Sequence, residues 1–95
     1  MKISSIKIGK KKALGIDIPM PNAKLILALG KKGYLMCGYL NLETAEKLGD
    51  CAGVIKGVKN LEDLLKGKVV QLTSKAKKMG IKAGMTGKKA LSKLV

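Results

Sequence analysis

The chain has no histidine, arginine, tryptophan or phenylalanine, and its only aromatic side chains are the two tyrosines Tyr34 and Tyr39. Each absence removes a class of chemistry. Without histidine there is no Ser-His or Cys-His nucleophile pair, no imidazole base near neutral pH and no common transition-metal ligand set, so no metal site is expected. Without arginine, planar bidentate recognition of carboxylate, phosphate or a guanine edge is gone, and lysine remains as a point-charge donor. Cysteine is scarce as well. Cys37 and Cys51 match neither a redox-pair nor a zinc-pair spacing, and a disulfide between them is not expected. Long apolar runs are missing, because lysines and glycines interrupt every stretch well short of the roughly 18 residues that cross a bilayer. The first residues, Met1 to Lys7, alternate in polarity and do not read as a signal peptide. The expected location is cytoplasmic, with no membrane partner.

What is present is lysine: all 20 cationic residues are lysine against six acids, a formal net charge of +14. A surface of that density attracts polyanions by counterion release, so non-specific polyanion or RNA binding is one expectation. Lysine runs on helices are equally often solvated faces. Residues 1–95 suit one domain with a modest core, and subunit association would add to that core; a homo-oligomer is the expected state.

Lys2 to Ile8 and Lys11 to Ile18 read as a hairpin turning at Gly9-Lys10 and ending at Pro19 and Pro21. In its second strand Leu14, Ile16 and Ile18 share one face, while Ala13, Gly15 and Asp17 share the other. Leu25 to Leu29 and Tyr34 to Tyr39 are nearly continuous apolar runs around Gly30-Lys31-Lys32-Gly33, the pattern of central strands covered on both faces. Asn41 is placed to cap a helix ending at Gly49, with Leu42, Ala45 and Leu48 facing inward. Further along come a strand over Cys51–Lys56, an Asn60-capped helix stopped by Gly67, and a strand over Val69–Leu72. A helix capped by Thr73 or Ser74 and ending at Gly80 follows, then a last helix capped by Thr86. Strands first and helices mostly later predict an α+β fold: a small mixed or antiparallel sheet with short helices mainly on one side.

Three stretches carry a further signal: Ala13 to Pro19; Lys32-Gly33-Tyr34-Leu35-Met36-Cys37-Gly38-Tyr39-Leu40-Asn41; and Gly80-Ile81 with Gly84-Met85-Thr86-Gly87. They resemble the YunC-like family, a domain of unknown function, along essentially the whole chain. The resemblance implies a compact α+β domain and no defined activity. Lys88-Lys89 departs from it, standing where the family is expected to place a basic residue followed by an acidic one.

Two places could carry chemistry. Cys37, with Gly38 beside it and Asn41 at the next helix start, could be a thiolate nucleophile if the helix and nearby lysines lower its pKa. Packing is the favoured reading, because no histidine is available to activate the thiol and cysteine in an apolar strand is usually buried. Thr86, Gly87 and Lys88 could present backbone N–H groups to a phosphate, although Thr86 is fully explained as a helix cap. No cofactor motif is present. The expected function is a self-associating structural or binding domain without identifiable catalytic machinery. The alternatives are a lysine-rich RNA-binding module and an enzyme using the Cys37 thiolate.

Overall fold

A computed structural model describes residues 1–95 as ten elements in one layered unit. Strands β1 (Lys2–Ile8), β2 (Lys11–Pro19), β3 (Lys24–Leu29) and β4 (Tyr34–Cys37) form an antiparallel meander. Helix α1 (Leu42–Leu48) then carries the chain across to β5 (Ala52–Ile55), which runs parallel to β4. After α2 (Leu61–Lys66), the short strand β6 (Gln71–Leu72) pairs antiparallel with β5 and closes a six-stranded mixed sheet in the order β1-β2-β3-β4-β5-β6. Helices α3 (Ser74–Lys78) and α4 (Gly87–Ser92) complete the chain. No helix is long and apolar enough to cross a membrane.

The helix ends follow from side chains at the expected places. The Asn41 carboxamide accepts from the Glu43 and Thr44 amides at 2.7 and 3.3 Å, and Gly49 ends α1 in the left-handed region at φ 78°. Asn60, Thr73 and Thr86 cap α2, α3 and α4 in the same way, each accepting an amide of its first turn. The sixth strand is shorter than the sequence suggests. The Val69 amide bonds to Met85 O and the Gly84 amide bonds to Val69 O, so Val69 pairs with the α3–α4 connection and leaves the ladder.

The two sides of the sheet are unequal. One side carries the main core, in which Ile26, Ala28, Leu35, Cys37 and Ile55 meet Leu64 of α2, Ala90 and Leu91 of α4, and Ile81. On the other side α1 alone packs, placing Ala45 against Met36, Ala52 and Val54. This resolves the two rows of β2. The small row, Ala13 and Gly15 with Asp17, is buried beneath the helices, where a Cβ on Gly15 would lie 2.7 Å from Leu61 Cδ1. The bulky row, Leu14, Ile16 and Ile18, is paired side by side with Leu29, Leu27 and Leu25 of β3 and faces the other way. Leu14 is 41% exposed there, and Ile3 of β1, opposite Ile16, is 59% exposed.

Leu48 departs from the inward row expected of α1: Ala45 is buried and Leu42 half-buried, but Leu48 is 71% exposed. α1 packs through Ala45 against Met36, Ala52 and Val54, and Leu48 at its C-terminal end stands at the rim of a depression shared with Tyr34 and Met36. β3, apolar on both sides as central strands are, is covered by helices along one side, and on the other only Leu27 packs against the α1 cluster.

Candidate functional site

The last paired residues of the one parallel strand pair are Cys37 of β4 and Ile55 of β5. Past them the chain leaves the sheet in two turns, Gly38-Tyr39-Leu40 and Lys56-Gly57-Val58, the second with Gly57 at φ 74° where only glycine is unstrained. The β2–β3 connection arrives at the same end of the sheet. Between them lies an open cleft of about 320 Å³, walled by Lys24, Cys37, Tyr39, Gly57 and Lys59 among others. Ligand sites in open α/β sheets concentrate beyond the carboxyl ends of parallel strands, which makes this the first place to look.

Cys37 forms the inner wall and is 4% exposed. The Ile26 amide donates to its Sγ at 3.3 Å, and the thiol reaches Lys24 O at 3.8 Å. The β3–β4 ladder ends at Leu27 opposite Met36, so the side chain of Cys37 replaces the missing carbonyl and finishes the edge of the pairing. That is structural work, and it occupies the sulfur from both directions. Lys24 also lies 3.8 Å from the buried Asp17 carboxylate, leaving Lys59 as the cleft's unpaired cation. Folded protein is therefore expected to alkylate slowly at Cys37. Iodoacetamide labelling at pH 7.5 should run at least about 100-fold slower than in denaturant; comparable rates would reinstate a reactive thiol.

Of the other residues singled out by sequence, Gly38 lines the cleft beside Cys37, with Lys56 Cγ 3.6 Å from the position of a Cβ. Asn41 does not join them. It belongs to the α1 side, in a shallow depression with Tyr34, Met36 and Leu48. Thr86, Gly87 and Lys88 stand at the C-terminal end of α2, whose N-terminal end borders the cleft. There the Gly87 amide donates to Gly67 O at 2.8 Å and the Lys89 amide to Thr86 Oγ1 at 3.3 Å, so two of the loop's donors already have partners. Lys24 and Lys59 were not marked by the sequence. No local signal could mark them, since one antiparallel and one parallel pairing bring them together.

Four titrations are shifted by their surroundings, one of them that of Lys66, which its hydrogen bond to Glu62 and that carboxylate's charge push up. Burial, the hydrogen bond to Asp50 Oδ2 at 2.7 Å and that carboxylate's charge push Tyr34 up to about 12. Burial pushes the Cys51 thiol up against a small opposing pull from Lys75. The Ser74 amide and hydroxyl, at 3.0 and 2.9 Å, hold the Glu46 carboxyl below its ordinary value and tie α1 to α3.

Fold and cleft together define a small α+β domain built on an open mixed sheet, one side of which is largely bare. The chain belongs to the family DUF1805, a domain of unknown function, whose model matches residues 36–94. It is 28% identical over 99 residues to the uncharacterized protein YunC of Bacillus subtilis (strain 168), spanning 100% of this chain and 98% of that one. The crystal structure of TA1206, a protein of unknown function from Thermoplasma acidophilum, superposes with a TM-score of 0.95 at 44% identity, over 99% of this chain and 92% of that chain.

Proposed function

We propose that this protein is a self-associating domain in which two copies pack the bare side of β1, β2 and β3 against each other. The observation that carries the reading is the two-sided apolar character of β3 against its one-sided cover. Leu25, Leu27 and Leu29, together with Leu14, Ile16 and Ile18 of β2, make a continuous apolar row over which α1 packs only at Leu27; Leu14 is exposed and the others are half-buried. Such a patch on a soluble chain favours a partner. The occupant is a second copy: Ile3 of β1 continues the apolar row, Ser5, Lys7 and Lys12 border it, and the face carries no acidic side chain that a basic partner would seek.

Dimensions support it. A contact of standard size buries roughly 800 Å² per partner. The molecule measures 34 × 31 × 22 Å. It also exposes 5829 Å², more than the roughly 5,300 Å² expected of a monomer of its mass. Sheet-on-sheet packing at about 10 Å would give each copy of β3 the second cover its sequence is written for.

Sedimentation equilibrium on the intact chain tests this. At 0.3 M NaCl, where screening weakens repulsion between two +14 copies, the mass should be twice 10.1 kDa. The double variant Leu14→Glu, Ile16→Glu should raise the dimer Kd at least about 100-fold, because each burial of an unpaired carboxylate is costly. It also lowers the net charge, so loss of association cannot be assigned to added repulsion. A wild-type chain that stays monomeric at about 100 μM would sink the reading, since a contact of that size commonly holds at micromolar levels.

A further inference from the structure

The outward row of the bare side does not stop at β3. Leu27 and Leu29 pair with Met36 and Tyr34, so the row runs on into a depression of about 290 Å³ between β4 and α1, lined by Tyr34, Met36, Leu40, Asn41, Thr44 and Leu48 among others. On the other flank of α1, Glu46 is tied to Ser74 of α3. The Asn41-Thr44-Leu48 stripe is therefore the flank that looks over the bare strands, and α1 stands as a wall beside them. We propose, resting on the self-association reading above, that this depression receives strand β1 of the second copy, with the partner's Lys7 meeting Asp50.

The wall and the symmetry together select this arrangement. Aligned sheets keep their strand directions within about 30° of each other, so the two-fold axis between stacked copies runs either along the strands or across them. An axis across the strands keeps the strand order and lays α1 on the partner's α1. Two helices, each about 10 Å across, would then hold the sheets apart and leave β1 to β3 uncovered. An axis along the strands, centred on β2, reverses the order β1-β2-β3 instead. It sets the partner's β1 over β3, with the α1 wall as its next neighbour, and the sheets can close to about 10 Å.

The same axis preserves strand direction, so like ends meet. Ile3 pairs with Ile16, Ile16 with Leu27 and Leu27 with Met36, which puts Ile3 and Met36 at one level of the sheet. The partner's Ile3 thus comes level with Met36, and Ile3 is 59% exposed in the single chain. Lys7 lies toward the β1–β2 turn, directly opposite Lys12, a like-charge pair that costs stability. At that end of the depression is Asp50, whose Oδ2 accepts from the Tyr34 hydroxyl at 2.7 Å. An unrelieved cation of one copy therefore arrives at the end where the other holds a carboxylate in place, and the contact occurs twice in the symmetric pair.

Cysteine cross-linking and sedimentation equilibrium on the full chain separate this placement from the reading it rests on. Native Cys37 and Cys51 are both buried. The pair Lys7→Cys, Leu48→Cys should form a covalent dimer in most chains under mild oxidation, and either single variant in few. A bond within one chain is excluded, because β1 and β4 are three strand spacings apart, about 14 Å, against the roughly 7 Å limit between Cα atoms. Lys7→Glu should weaken the dimer at least about tenfold at 0.15 M NaCl, although it lowers the net charge, and adding Asp50→Lys should restore Kd to within about threefold. Lys7→Glu also relieves the repulsion with Lys12, so its melting temperature should equal or exceed that of wild type, which guards against loss through unfolding. A wild-type dimer without pair-specific cross-linking, or a Lys7→Glu dimer as tight as wild type, overturns the placement and leaves the self-association reading intact. A monomeric wild type overturns both.

Discussion

Gly87→Ala is expected to lower the melting temperature by roughly 12 °C or more, corresponding to about 3 kcal/mol in a domain of this length. Two effects oppose each other at this position. Gly87 is the first residue of α4, where alanine would ordinarily stabilise the helix by up to about 1 kcal/mol. Against that, a Cβ on Gly87 would collide with the carbonyl oxygen of Leu64 and lie 2.9 Å from Ile55 Cδ1. The obstacle is backbone, held in α2 with Leu64 fully buried, and cannot rotate aside as a side-chain end would. Overpacking against backbone costs about 3 kcal/mol, so the collision wins the sign. Differential scanning calorimetry reads the result, with Gly84→Ala as the informative control. Gly84 has nothing within 4 Å of its Cβ position but sits at φ 90°, so its cost is conformational and about 1 kcal/mol. A tolerated Gly87→Ala, within about 4 °C of wild type, would mean that the α2–α4 contact is looser than drawn and that the Thr86-Gly87-Lys88 turn is open to a ligand.

Glycine at position 87 shows what a sequence exposes and what it conceals. Spacing places a glycine just after a threonine at a helix start, and both a cap and a phosphate-binding turn satisfy that local pattern. Only the approach of α2, set by contacts with residues more than twenty positions away, decides how much room the turn has. The features that were legible are local for the same reason. Asn41, Asn60 and Thr86 cap helices because a short polar side chain after extended backbone has one economical use, and Gly49 ends α1 because it alone takes φ 78° without strain.

The rows of β2 mark the limit more sharply. Alternation in Leu14-Gly15-Ile16-Asp17-Ile18 identifies two faces but not which one the helices choose. Close packing of Leu61 over Gly15 draws α2 to the small row, and the bulky row is left outward. The continuous apolar run of β3 signals cover on both sides, yet within one chain only Leu27 is packed on the second side. In the proposed dimer, cover from a second copy would reconcile the two. The cleft was legible only in part: Cys37 and Gly38 stood out in the sequence, but Lys24 and Lys59 join them through strand pairing that no local pattern reveals.

Pairing order also concentrates an unusual demand on Thr73, and Thr73→Val is expected to cost about 2–4 kcal/mol, again a shift of 10 °C or more. Thr73 is fully buried although polar. Its Oγ1 accepts from the Ala52 amide at 3.1 Å and from the Ala76 amide at 3.3 Å. Its own amide donates to Ala52 O at 2.9 Å, so one residue extends the β5–β6 pairing and caps α3 at once. Valine matches the shape of threonine and keeps the packing, which isolates the hydroxyl. Its loss strands two buried N–H groups where water cannot replace the acceptor, at about 1–2 kcal/mol each. Thr73→Ser is the decisive companion. It retains the oxygen and removes one methyl, so it should recover most of the stability and fall short of wild type by about 1 kcal/mol. If serine melts as low as valine, the methyl packing and not the hydroxyl holds this corner, and the joint between β5, β6 and α3 is apolar in origin. If it recovers, the amides at Ala52 and Ala76 are satisfied by a single oxygen, and the register of β5 beside β4, on which the position of the Cys37 cleft depends, is fixed from this end by Thr73.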